Sequence, residues 1–374
     1  MQRAQWFLAT SLVALVLACG VGFKVQAGQV EAKSGLRVLA PISSGNLTIF
    51  PVVGHNAHDT SMFLTLDEGL RSGEVVVTEA GSVQPLIRRP TPVRPPRIGA
   101  QVNTLLLVNN SKKPLLLLAG EIVTGGKQDR VIAKDRIVPP MSDPIDLGVF
   151  CVEPGRWVAK SEKFGGFSGL AAPNVRLNAM AKQDQQEVWA AVRDSQQKVA
   201  ANAPAASREV TATSSYAGAM GGAVVSGQIA QIEAPIQRNY EALLKDLRAK
   251  NAVGVVVAVN GQILWADIFA STELLEKYWP KLIRSYATEA LAQSGGSGKV
   301  VESEAQAFVD RLDGTHETAD TDPGVYRQAE ITGSDYKVFA LTSLLPKTDY
   351  TVHLAKMYQP EVAIQFGPRQ PLVR

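Results

Sequence analysis

Apolar residues fall in short blocks from 36 to 165 and shift to helical spacing further on. The runs at 36–41, 47–53, 74–79, 103–108, 114–118, 130–138 and 145–152 are rich in Val, Ile and Leu, with Gly, Pro, Asn and Asp between them. Each predicts a strand. Asn109-Asn110-Ser111-Lys112-Lys113, between two of these runs, predicts a hairpin turn. Thr65, with Glu68 three residues on, predicts a capped helical turn within the β-rich stretch. The stretch 88–97 holds four Arg and four Pro, which excludes a central strand. It reads as a solvated extended loop, or as a basic docking segment for an acidic partner.

The segment 183–201 lacks Gly and Pro and places Val188, Ala191, Val192, Ser195 and Val199 on one stripe, the pattern of a helix. At 203–228 the composition turns to Ala, Ser, Thr and Gly, which predicts a low-complexity linker or a long mobile loop. Helical spacing returns at 236–250 with Ile236, Tyr240, Leu243, Leu244 and Leu247. Asn260-Gly261 between apolar runs 254–259 and 262–269 is a hairpin signal, because Asn-Gly suits a type I′ turn. A long helix follows at 272–293, with Pro280 a local defect. After it come a short helix at 304–312 and strands at 326–331, 336–344 and 350–356. The expected fold class is α+β, with antiparallel or mixed sheets. A β-rich N-terminal half, 36–165, packs with a smaller α+β C-terminal half, 229–358; a helix and linker fill 166–228, and 359–374 is a tail.

Composition adds the compartment. The 374 residues are 45% hydrophobic and 20% charged, an ordinary globular balance. Arg3 precedes an uncharged stretch at 6–23, and Val25-Gln26-Ala27 has cleavage-type spacing. Residues 1–27 therefore read as a signal peptide, and the mature chain is expected to be periplasmic or secreted. An alternative cut just before Cys19, within Val16-Leu17-Ala18-Cys19-Gly20, would make a lipoprotein, although Leu17 fits that box poorly. Uncut, the apolar stretch is just long enough to anchor in a membrane. Removal of 1–27 takes away Arg3 and Lys24 and lowers the formal charge from +3 to +1. So small a charge gives no case for nucleic-acid binding. Of the two cysteines, Cys151 would then be alone, with no internal disulfide available.

Two polar clusters stand beside glycines between strand-like runs. The first is Gly120-Glu121, then Gly125, Gly126, Lys127, Gln128, Asp129 and Arg130. The second is Cys151, Glu153, Arg156 and Trp157. A nucleotide P-loop is excluded, since its first Gly would fall at Glu121 and its Ser/Thr at Gln128. Lys127, Gln128 and Arg130, with N–H groups from Gly125 and Gly126, could instead hold an anion. The competing reading is a structural salt-bridge network with Glu121, Glu153 or Glu79. A nucleophilic Cys151 needs a nearby base, and His55, His58, His316 and His353 are all distant in sequence, so Cys151 reads as packed. His55, His58 and Asp59 lie in a loop and not on a metalloprotease-type helix, so no metal site is assigned and no cofactor motif is present. Ser285 and Tyr286 read as helix packing, with no Gly-x-Ser-x-Gly elbow.

On Gly120-Glu121, Gly126-Lys127-Gln128-Asp129-Arg130, Cys151-Val152-Glu153 and Gly155-Arg156-Trp157, the chain resembles the ARG and rhodanese-phosphatase-superfamily-associated protein domain family. The likeness extends to Leu66-Asp67-Glu68, Glu79, the hairpin at 253–269, and Trp279, Lys281, Leu282, Ser285 and Tyr286, roughly residues 36–292. Asp129 stands where many members carry Asn. The Arg/Pro stretch and the C-terminal tail also depart from the pattern. The resemblance implies no activity, because the family name records genomic company.

Two functional expectations follow. One is a non-enzymatic exported protein that binds a small anionic ligand or a protein partner through Gly125, Gly126, Lys127, Gln128, Asp129, Arg130, Arg156 and Trp157. It would touch membrane only through a lipid or signal anchor. The alternative is a hydrolase-like enzyme with Glu121 or Glu153 as general base and Lys127 and Arg130 as electrostatic stabilisers. Convergence of these groups on an open pocket would favour the second; mutual pairing would favour structure.

Overall fold

The computed structural model describes residues 35–55, 58–80, 103–293, 295–296 and 298–359. The apolar stretch 6–23, Cys19, the Arg/Pro stretch 88–97 and nearly all of the tail 359–374 lie outside the described residues.

The largest sheet runs β1 (Arg37–Val38), β3 (Leu47–Val53), β13 (Ala252–Val259), β14 (Gln262–Phe269), β18 (Tyr350–Tyr358), β17 (Tyr336–Ser343), β16 (Tyr326–Thr332) and β15 (Thr315–Asp322); β2 (Ile42–Ser44) also pairs with β3. β3 and β13 are buried along almost their whole length, as strands apolar on both faces must be. They find that burial beside each other. The sheet therefore crosses from the N-terminal half into the C-terminal half, and the two halves share one core. Asn260 and Gly261, with φ of 54° and 78°, make the predicted turn between β13 and β14.

A second sheet runs β12 (Gly165–Leu170), β8 (Glu121–Thr124), β9 (Arg130–Ile132), β11 (Ile145–Cys151), β6 (Thr104–Asn109) and β5 (Val75–Glu79). A third, small sheet joins β10 (Arg136–Val138), β7 (Leu115–Leu117) and β4 (Leu64–Thr65). Pairing is antiparallel except between β4 and β7. The fold class is α+β. Two expectations change here. The run 130–138 is not one strand: it breaks at Ala133–Asp135 because Asp135 turns inward, and its halves join different sheets. The 109–113 segment is no hairpin either, since β6 and β7 belong to different sheets. The Asn109 amide holds the turn, donating to the carbonyls of Lys113 and Pro139 while its oxygen accepts from Ser111.

Helix α1 (Leu66–Ser72) has the predicted capping box: Thr65 Oγ1 accepts from Glu68 N–H, and Glu68 Oε2 accepts from Thr65 N–H. Helix α3 (Gln185–Asn202) buries Val188, Ala191, Val192, Ser195 and Val199, the stripe read from sequence. The expected linker at 203–228 is instead helical, with α4 (Ser207–Thr211), α5 (Tyr216–Gly221) and the start of α6 (Ala223–Ala249). Small residues let these helices pack closely, and Tyr216, Met220 and Val225 anchor them in the core. On α6, Ile236, Tyr240 and Leu247 are buried as predicted, but Leu243 faces solvent. Helix α7 (Thr272–Ala292) continues through Pro280 and packs against α3, α6, β12 and β13, filling the space between the two larger sheets.

Candidate functional site

The loop between β8 and β9 carries the first polar cluster. Gly125 and Gly126 take φ of 120° and 48°. A Cβ at Gly125 would lie 2.4 Å from Ser161 Oγ, and one at Gly126 would lie 2.2 Å from the Phe164 ring, so both positions require glycine. The N–H groups that were candidates for an anion cradle are engaged inside the protein. Gly125 N–H donates to Asp129 Oδ1 at 3.0 Å, Gly126 N–H to Ser161 Oγ at 3.2 Å, and Lys127 N–H to Glu79 Oε1 at 2.7 Å.

Arg156 latches this loop. Its guanidinium donates to the carbonyls of Gly125, Gly126 and Val158 and to Glu153 Oε2 at 2.5 Å. Asp129 Oδ2 accepts from Ser215 Oγ at 2.6 Å, which ties the loop to α5. Glu153 also accepts from Asp129 N–H at 3.0 Å and lies 3.4 Å from Lys160 Nζ. Gln128 donates to the Glu153 carbonyl. Burial would raise the Glu153 carboxyl, but Arg156 and the Asp129 N–H hold it below its ordinary value. An ionised carboxylate with its oxygens so occupied is a weak proton acceptor. Arg130 is fully buried, and exposed Trp157 lies over it and over Lys127, at 5.8 and 5.1 Å from ring centroid to cation.

Glu121 stands apart from this set. It is buried at the head of β8 and pairs with Lys281 Nζ at 2.8 Å, which also meets Asp67 Oδ1 at 2.8 Å. Burial would pull the Lys281 ammonium down, yet Glu121 and Asp67 raise it. Cys151 is fully buried, and burial pushes its thiol up, away from a reactive thiolate. Its backbone is held by the Gln185 amide through bonds of 2.9 Å in both directions. The polar groups thus pair with one another and do not converge on a shared open pocket. His58 stacks on Tyr350, and among the described residues no three His, Cys, Asp or Glu side chains gather as metal ligands.

Beside the cluster, β12, α5 and the 124–129 loop border an open groove of about 710 Å³, so Gly125 and Asp129 belong to both. Its lining includes Thr124, Gly125, Gly166, Phe167, Thr213 and Gly218, with two charged residues, Lys160 and the nearly buried Asp129. The Lys160 side chain is 57% exposed, and it is the exposed charge of the groove.

A second polar network went unread in the sequence. Arg176 donates to both oxygens of Asp267 at 3.0 Å each. Tyr286 also bonds Asp267, and His353 bridges Asp267 at 3.2 Å to Asp135 at 2.5 Å. Burial would raise the Asp267 carboxyl, but Arg176 and His353 hold it far below the usual range. Burial opposes charge on His353, yet Asp135 and Asp267 raise it to about 9. The available signal was one charged or polar residue inside an apolar strand: Asp267 in Trp-Ala-Asp-Ile-Phe and His353 in Thr-Val-His-Leu-Ala.

The model of the ARG and Rhodanese-Phosphatase-superfamily-associated Protein domain matches residues 35–357. No curated protein and no solved structure matches the chain.

Proposed function

The chain belongs to this family, and we propose that it is a binding module, with the groove between β12 and α5 as its docking site for an extended, acidic segment of a partner protein. The groove's form carries this reading. Glycines at 125, 166, 218, 221 and 222 line it and allow close backbone approach. Past Lys163 and Phe164, which bond β5, β12 is an edge strand of its sheet, a place where an added strand can pair. One exposed lysine gives a small free anion little affinity, so an extended occupant with many weak contacts suits the site better. Pairing of Glu121 with Lys281 and of Glu153 with Arg156 gives those side chains a structural role and counts against hydrolysis, so the binding reading rests on the groove. Export by residues 1–27, or lipid attachment at Cys19, belongs to the same proposal and would place the module outside the cytoplasm.

The test is a displayed random-peptide library panned on the mature chain. Selected peptides should be enriched in Asp and Glu and should lose binding to Lys160→Glu and to Thr213→Trp, which fills the groove. Peptides without acidic enrichment, or indifferent to both changes, would overturn the reading.

A further inference from the structure

A cavity of about 240 Å³ lies against β15, β16 and β17, with Asp135 of the buried charged set in its lining. Strand register decides what faces it. Glu317 pairs with Glu330, and Glu330 with Phe339; Ala319 pairs with Gln328, and Gln328 with Leu341. Directly paired residues point to one face of a sheet, so these two rows form one wall. Met180, from the π-helical turn Asn178–Lys182, adds an adaptable apolar contact. Asp135, 5% exposed, lines the cavity from the β9–β10 connection.

Asp135 is a carboxylate held from behind. Its Oδ1 accepts from Ala119 N–H at 2.7 Å, and its Oδ2 meets His353 Nδ1 at 2.5 Å. An ionised carboxylate has about four acceptor positions, so both oxygens keep acceptor capacity. A separate feature points to the same ligand charge. Glu317 and Glu330 stand directly opposite each other across β15 and β16, an arrangement that like charges disfavour. Lys337 answers Glu330 at 2.6 Å. A cation at this mouth would relieve the remaining repulsion. Asp135, Glu317, Glu330 and Lys134 line the cavity beside the apolar surface of Phe339, Leu341 and Met180. His353 faces Asp135 and Lys337 faces Glu330, which leaves Glu317 at the exposed rim as the carboxylate that a ligand cation would meet.

We infer that this cavity binds a small amphipathic amine, with its ammonium group on Glu317 at the rim and its apolar body on Phe339, Leu341 and Met180. This site is distinct from the proposed docking groove, and neither proposal depends on the other.

Calorimetric titration of the full chain with 2-phenylethylamine tests it, with 2-phenylethanol as the uncharged counterpart. The amine should bind at least about tenfold more tightly than the alcohol, the difference being the charge-assisted hydrogen bond. Glu317→Gln, at an exposed position, should weaken the amine severalfold and leave the alcohol unchanged. Ala319→Phe should fill the cavity and abolish amine binding while the melting temperature stays near that of wild type. No binding at millimolar amine, equal affinity for amine and alcohol, or unchanged amine binding to either variant would overturn the inference.

Discussion

Arg176 and Asp267 lie 91 residues apart in sequence and meet through two hydrogen bonds of 3.0 Å, both side chains wholly buried. The Arg176 guanidinium also lies 4.4 Å from the centre of the Trp265 ring, and its aliphatic stem runs where a Cβ at Gly120 would be. Such a pair fixes α2 (Pro173–Leu177) against β14 with one geometry. Its net contribution to stability is small, because desolvation offsets attraction, but removing one partner strands a buried charge.

His353 extends this pair toward Asp135, and its raised value sets a pH dependence. A proton bound more tightly in the folded chain contributes stability that is full below the ordinary histidine value near 6.5 and is lost as pH rises through about 9. The amount is on the order of 3 kcal/mol. Lys356 has the opposite sign: burial, with Arg311 nearby, pushes its ammonium down to about 7, so its contribution grows from about pH 7 upward. The two effects overlap in wild type. The unfolding free-energy difference between wild type and His353→Gln separates them, since Lys356 is common to both chains. That difference should be greatest below pH 6.5 and should shrink toward pH 9. A difference that does not change with pH would contradict the assignment.

The Lys281–Glu121–Asp67 group should behave as a scaffold. Lys281→Met leaves Glu121 buried with only the Leu118 N–H, and should cost about 3–5 kcal/mol in denaturant unfolding. The double change Lys281→Met with Glu121→Leu should recover most of that loss, because the stranded charge is gone. A double variant as unstable as the single one would speak against this account.

Cys151 should react slowly with thiol reagents in the folded state, at a rate limited by opening. Cys151→Ala should cost on the order of 1 kcal/mol through lost packing. Rapid modification of the native protein would place the thiol elsewhere than in the core.

Residues 1–30 fused to a reporter active only outside the cytoplasm should yield activity. Palmitate labelling that disappears in Cys19→Ser would select the lipoprotein route; without labelling, an N-terminus at residue 28 would select cleavage after Ala27, and an intact N-terminus would select the uncut anchor. A reporter retained in the cytosol would end the export proposal.

Local chemistry was legible in the sequence and long-range chemistry was not. Thr65 with Glu68, Asn260-Gly261 and the Val188-to-Val199 stripe each depend on residues within a few positions, and the structure has all three. At 203–228, small residues look like a linker by composition, and the signal of burial rests on the scattered Val210, Tyr216, Met220 and Val225. The β9–β10 break is caused by Asp135 reaching His353, 218 residues away, which no local pattern encodes. The two polar clusters were visible as a group, and the structure joins most of their members. It sends Glu121 to Lys281, 160 positions on, for the same reason. The buried set of Arg176, Asp267 and His353 was passed over because each member stands alone among apolar neighbours.

The docking proposal turns on Lys160, and a charge-swap titration tests it most directly. A selected acidic peptide and its Glu→Lys counterpart are titrated into wild type and into Lys160→Glu. The account predicts that the acidic peptide binds wild type at least about fivefold better than Lys160→Glu, and that the lysine peptide reverses this order, with unchanged melting temperatures. Affinities that do not depend on the charge at 160, for either peptide, would contradict it.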